Sequence, residues 1–216
     1  MAMMSTSIPQ RQTKTRDGTA VRERGQERVA NILAAARSIL INEGIASLTT
    51  RRVAKDLGIS VGNLAYYFSS KEALLQALIE DVRQGYDEEL ERESHSFPDD
   101  PPQRFKAFLR YMIDDARKPE VRSFFYQLWG LSTHSAWAAT SREQMYRHFA
   151  EQTVLLLEPI HPVATASELR ALALVVLTNL EGLHVVYGSG DKLLKQGRGF
   201  DTLIYRHILN LVGIEE

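Results

Sequence analysis

Between residues 48 and 68 the chain reads LTTRRVAKDLGISVGNLAYYF, and this spacing leaves few conformations open. Thr50 to Leu57 suits a short helix, Gly58 and Ile59 a turn, and Ser60 the cap of a second short helix ending near Phe68. Two helices joined by so tight a turn cross closely. The first therefore needs a small residue at the crossing, and Ala54 is there. The turn needs a positive backbone angle, which Gly58 takes without strain. Val53, Leu57, Ile59 and Leu64 then fill the wedge between the helices. A small residue, a glycine four later and an aliphatic six after that form the pattern of a helix-turn-helix.

Such a unit lays its second helix in the DNA major groove, and the residues facing away from the wedge meet the duplex. On the second helix these are Val61, Gly62, Asn63, Tyr66 and Tyr67. Gly62 permits close approach to a base edge. Asn63 suits an adenine edge, a phosphate or a local helix-start bond, and the tyrosine hydroxyls suit phosphate oxygens or packing. Thr50 offers a hydroxyl and a helix start to another phosphate, Arg51 reaches a guanine or a phosphate, and Lys71 clamps the backbone beside the groove. Arg52 and Lys55 are either further contacts or solvated surface.

The remaining chain has the periodicity of an all-α protein, with no strand pattern and no internal repeat. Val29, Ile32, Leu33, Ala36 and Leu40 share a helical face that Gly44 ends. Ser69 with Glu72 forms a capping box opening a long helix with a Leu74, Leu75, Leu78, Ile79, Val82, Tyr86 stripe. The stretch SHSFPDDPPQ at 94–103 breaks the pattern. Asp100 with Pro101 opens the next helix, Pro119 another, and a further one covers about 135–158 before Pro159. Thr165 with Glu168 is a second capping box, opening ELRALALVVLTNLEGLHVVYG. GSGD and the glycines at 197 and 199 read as loop, followed by a last helix from about Phe200 to Val212. The expected organisation is a disordered polar and basic arm at 1–25, a DNA-binding domain at 26–71, a connecting helix at 72–93 and a ligand-binding and dimerisation domain at 94–216.

Charge agrees with a DNA-facing head. Residues 1 to 80 carry 11 Lys+Arg and 7 Asp+Glu, a net of +4, while the other 136 residues carry 15 and 20, a net of −5. The head then meets something anionic, and the acidic body repels a duplex laid along it. Arg11, Lys14, Arg16, Arg22 and Arg24 in the arm either enter a minor groove or belong to a free tail.

TTRRVAKDLGISVGNLAYYFSSKEALL closely resembles the DNA-binding domain of the TetR family of bacterial transcriptional regulators. A glycine-ended first helix, a Thr-initiated helix-turn-helix, an aromatic-rich end to the recognition helix and a Lys-Glu-x-Leu start of a long helix are all present, over about residues 26 to 82. Many members have tyrosine where this chain has Ala65, which moves the aromatic phosphate contact to Tyr66 and Tyr67. The resemblance implies a sequence-specific regulator. It implies a ligand-released repressor on a palindromic operator of double-stranded DNA, with activation as the other possible sign.

A single helix-turn-helix reads few base pairs, so a homodimer is expected. The helix after Thr165 is apolar nearly all round and so buried on more than one side. LEGLH within it resembles the family's dimer-forming penultimate helix. Glu181, Gly182, Val185, Ile204, Ile208 and Leu211 are the expected interface. The resemblance also implies a small-molecule effector in the aromatic-rich middle of the chain, with Tyr111, Met112, Trp129 and Asn179 the candidate ligand contacts and Glu181 a second polar anchor.

Other classes fit less well. There is no phosphate-cradling glycine loop, nucleophile elbow or metal-spaced histidine pair, and no cysteine, so neither an enzyme, a metal site nor a cofactor is expected. The alternative is an architectural DNA-binding protein without sequence preference or ligand control. A third is an interaction protein whose helix-turn-helix no longer binds DNA, against which Thr50, Arg51, Tyr66 and Lys71 together argue. The longest uncharged apolar run, Ala171 to Leu180, is shorter than the roughly 18 to 20 residues a bilayer needs, and the first residues lack an apolar signal core. A cytoplasmic protein without a membrane partner is the expectation.

Overall fold

The computed structural model describes residues 20–215, except the side chains of 20–24, 191, 192 and 196. The basic arm expected at Arg11, Lys14 and Arg16, with the side chains of Arg22 and Arg24, lies outside the described residues. Within them the chain is helical, without a strand. The helices are α1 (Ala20–Glu43), α2 (Thr50–Asp56), α3 (Val61–Tyr67), α4 (Lys71–Ser96), α5 (Pro101–Ala116), α6 (Pro119–Ser132), α7 (Ala136–Leu157), α8 (Ala166–Gly188), α9 (Asp191–Gln196) and α10 (Phe200–Leu211). They divide into two compact units, one holding the chain up to Glu88 with Ser123–Ser141, the other Glu89–Arg122 with Arg142–Glu216.

In the first unit α1 begins at Ala20, inside the stretch expected to be a disordered arm. Its first turns, AVRERGQERV, are mostly strong helix formers, and that local propensity extends the helix past its apolar face. Ile32, Leu33, Ala36, Ile39 and Leu40 are buried. Gly44 ends the helix at φ +82°, its N–H donating to Leu40 O at 3.2 Å. Arg37 of α1 pairs with Asp81 of α4. Gln127 of α6 accepts from Ile45 N–H at 3.0 Å, and the Ser123 hydroxyl donates to Ile41 O at 3.0 Å, holding α6 beside the end of α1.

One cap differs from expectation. The hydroxyl at the start of α4 is Ser70 rather than Ser69: Ser70 Oγ accepts from Ala73 N–H at 3.0 Å, while Ser69 is exposed. Two adjacent serines offer the same chemistry. The one that follows buried Phe68 by two residues caps the helix.

The second unit is built around α5, α8 and α10, which pack on one another. Asp100 caps α5 through Gln103 N–H, with Pro101 at the first position, and Thr165 and Glu168 form the full capping box of α8. Phe105, Leu109, Ala173, Val176, Leu183 and Ile208 lie at the centre of the core. Between Gly190 (φ +100°) and Gly199 (φ +81°) the segment expected to be loop contains α9. DKLLKQ consists mainly of good helix formers, and the glycines punctuate the helix instead of dissolving it.

Gly58 sits at φ +64° with nothing within 4 Å of the position a Cβ would take. Conformation alone therefore requires glycine there. Gly58→Ala is expected to lower unfolding stability by about 1–2 kcal/mol in urea titration.

Candidate nucleic-acid interface

α2 and α3 meet as the spacing requires. Val53 and Leu64 are fully buried and Ala54 nearly so. Gly58 N–H donates to Lys55 O at 3.2 Å and Ile59 N–H to Ala54 O at 3.0 Å, which closes the turn over the small residue. Ser60 Oγ accepts from Asn63 N–H at 3.0 Å and starts α3. With Leu64 and Phe68 held inside, the helical period turns Val61, Gly62, Asn63, Ala65 and Tyr66 outward, and all five are exposed, Tyr66 at 84%. Tyr67 is half-buried and packs edge-on against Tyr66, ring centroids 5.0 Å apart. Ser60 makes the local helix-start bond, so the Asn63 carboxamide stays out of it.

On α2 the cap is Thr49, whose hydroxyl accepts from Arg52 N–H at 3.0 Å, so the neighbouring Thr50 hydroxyl does not serve as the cap. Arg51 and Lys55, one turn apart, are exposed. Arg52 is engaged within the fold, with its guanidinium on Glu43 at 2.7 Å and Asp56 at 3.0 Å. Lys71, expected to clamp the DNA backbone, has a partner within the fold. Its Nζ donates to Ile45 O at 2.7 Å, and burial pulls its pKa below the ordinary lysine value. It braces the start of α4 against the loop after α1.

The expected ligand contacts do not converge within either unit. Trp129 lies in the first, beside Phe125 and Tyr126 with ring centroids 6.0 and 5.7 Å away. Tyr111, Met112 and Asn179 lie in the second. The Asn179 carboxamide donates to Val175 O of its own helix at 2.9 Å. Tyr111 presents a buried hydroxyl whose pKa burial raises, with Asp115 and Glu89 adding to the effect.

Two expected interface residues face inward instead. Ile208 is fully buried in its own core. Glu181 lies on the inward edge of α8, its carboxyl bonded to Tyr146 and its Oε2 without a hydrogen-bond partner. Burial raises its pKa to about 7. One turn on, His184 is 4% exposed, and burial pushes its pKa down to about 4. Asp115, 2% exposed, pairs with Lys118 at 2.9 Å. The second unit thus encloses a group of ionisable side chains that the sequence had scattered.

The opposite face of α8 is apolar and exposed: Leu174 at 58%, Val175 at 43% and Val185 at 58%, with Gly182 open between them. On α10, Leu203 is 64% and Leu211 39% exposed, while Ile204 packs partly against the core. Leu174, Val175 and Leu203 were not anticipated. Their signal was the 3.6-residue period continued two turns back from Gly182 and Leu211.

Residues 32–78 match the model of the tetR family of bacterial regulatory proteins. An uncharacterised HTH-type transcriptional regulator from Xanthobacter autotrophicus is 27% identical over 71% of this chain and 76% of its own length. The HTH-type transcriptional regulator EthR of Mycolicibacterium smegmatis is 34% identical over 48% of each, so the chain spans about half of that relative. Among solved structures, a TetR-family transcriptional regulator from Streptomyces coelicolor superposes with a TM-score of 0.67 at 18% identity, covering 91% of this chain and 94% of that one.

Glu181 gives a pH prediction. Its carboxyl holds a proton in the fold that the unfolded chain has released, so between about pH 4.5 and 7 stability falls as pH rises. Glu181→Gln removes that loss while leaving the opposing contribution of His184 unchanged. The variant is expected to gain on the wild type from pH 5 to pH 8, by at most about 3 kcal/mol, in denaturant midpoints across that range.

Proposed function

Since the chain belongs to the TetR family and is a DNA-binding transcriptional regulator rather than an enzyme, we propose that it is a ligand-released repressor acting as a homodimer on a palindromic operator. The observation that carries this reading is the outward face of α3, fixed by the Ala54–Gly58–Leu64 wedge and free of any role in the core. In such a docking α3 enters the major groove and α2 crosses the backbone, so Arg51, Lys55, Thr50 and the tyrosine hydroxyls meet phosphates.

The dimer is supported by α8 and α10. α8 is long and apolar enough by length and composition to cross a membrane, yet one face is core and the other an exposed apolar stripe. A second copy covers that stripe without a bilayer, and Gly182 lets the partner's backbone approach. Burying the exposed part of side chains such as Leu174, Val185 and Leu203 contributes roughly 1–2 kcal/mol each. Two-fold symmetry then sets two α3 helices one DNA turn apart, about 34 Å.

The effector site falls in the second unit, where Tyr111, Tyr146, Glu181 and His184 offer polar anchors among apolar walls. An effector releases DNA by binding more tightly to a dimer whose heads are wrongly spaced. The protein works where its operator lies, in the cytoplasm.

Fluorescence anisotropy with DNA flanking its own gene, against scrambled DNA over a salt series, tests this function. A preference of about a thousandfold supports a regulator, and equal salt-steep binding to both overturns it in favour of an architectural protein. Arg51→Ala with Tyr66→Ala is expected to weaken binding at least tenfold and to reduce the salt slope by about 1. Undiminished affinity would remove both residues from the interface. Leu174→Glu with Val185→Glu is expected to yield monomers by light scattering. A dimer that persists would move the interface elsewhere.

A further inference from the structure

The bases that α3 reads follow from which side chains it exposes. The outward residues are Val61, Gly62, Asn63, Ala65 and Tyr66, and none is charged. Guanine is read most often by a bidentate arginine or lysine on its O6 and N7, and α3 has neither. The exposed cations Arg51 and Lys55 are on α2, which crosses the backbone in this docking. Arg52 is held by Glu43 and Asp56, and Lys71 by the Ile45 carbonyl.

What α3 does offer suits adenine and thymine. A carboxamide matches the N6 donor and N7 acceptor of adenine together, and small apolar side chains match the thymine methyl. Asn63 supplies the first. Val61 and Ala65, four residues apart on one face, supply the second. Gly62 adds an independent observation. Gly62 is the second residue of α3, in its first turn, where glycine costs less than in a helix interior but still loses more backbone freedom than alanine, and nothing within the chain requires it. A Cβ there meets only Ser60 Oγ, at 3.9 Å, and the backbone is not in the left-handed region. The missing side chain is explained by something that approaches from outside.

Resting on the regulator proposed above, we infer that the base pairs beneath α3 in each half-site are A·T: an adenine held bidentately by Asn63, beside thymines whose methyl groups pack on Val61 and Ala65. G·C pairs there leave the cytosine amino group facing aliphatic carbon and the Asn63 amide mismatched. Tyr66, at the far edge of the face, meets the sugar-phosphate wall.

Selection from randomised duplexes by the full-length protein tests this, repeated with Asn63→Ala. Wild type is expected to enrich half-sites with A·T pairs at the centre, and Asn63→Ala to lose base preference at one adenine per half-site while keeping the flanks. On the selected site Asn63→Ala is expected to bind roughly 10- to 100-fold more weakly. Replacing the central thymines by deoxyuridine is expected to weaken wild type about 3- to 4-fold per methyl packed on Val61 or Ala65. Gly62→Ala is expected to fold at least as stably as wild type, by circular dichroism melting, and still lose affinity. A G·C-centred motif, an unchanged motif from Asn63→Ala, or full affinity from Gly62→Ala would overturn the inference and leave the regulator standing. Failure of wild type to enrich any sequence would overturn both.

Discussion

The crossing of α2 over α3 is the contact on which the DNA-facing geometry depends. Ala54 is small enough to let the second helix lie against the first, and Gly58 takes the backbone angle that turns the chain back within two residues. Once Val53 and Leu64 close that gap, α3 has no rotational freedom about its axis. Every outward side chain is then a consequence of an inward one. Around this core, Arg37–Asp81, Arg52–Glu43 and Lys71–Ile45 connect α1, α2, the loop between them and α4, so the presented face is held from several directions.

α8 carries two apolar faces in different surroundings. Its inward face supplies Leu169, Ala173, Val176, Leu180 and Leu183 to the core, and its outward face carries a comparable set of aliphatics with a glycine between them. A helix of this kind is anchored in its own core while an apolar stripe stays exposed on its other side. The boundary between the faces is sharp enough that adjacent residues differ in fate: Glu181 lies inside with Tyr146, and Gly182 lies outside.

Features set by neighbours in sequence could be read from the sequence, and those set by neighbours in space could not. The Thr165–Glu168 capping box, the Asp100 cap and the ends of most helices depend on residues at most four apart, and the helix-turn-helix on residues within about ten, and they stand as the spacing predicts. Ser70 in place of Ser69 is a choice between identical neighbours that the spacing to Glu72 alone did not settle. α9 was hidden because its bracketing glycines give the same signal as a loop. Lys71 looked like a surface cation because nothing local shows that the Ile45 carbonyl waits 26 residues away. Glu181 was placed at the interface by the resemblance of LEGLH, with a polar anchor as its other reading, and a helix apolar nearly all round gives no phase to choose between them; Ile208 was placed there as part of the apolar stripe of α10, which faces its own core. The approach of Asp115 on α5 to His184 on α8 required tertiary structure to exist at all.

The outward residues of α3 contribute almost nothing to the core, and Gly62 leaves room for a methyl group that the free protein would accommodate. Substitutions at such surface positions change folding stability by about half a kcal/mol or less. Natural variation can therefore move through alternatives at Val61, Gly62, Asn63, Ala65 and Tyr66 without compensating changes elsewhere. After gene duplication, two copies of this chain could come to recognise different promoters through drift at these few codons, while the scaffold that aims them stays under purifying selection.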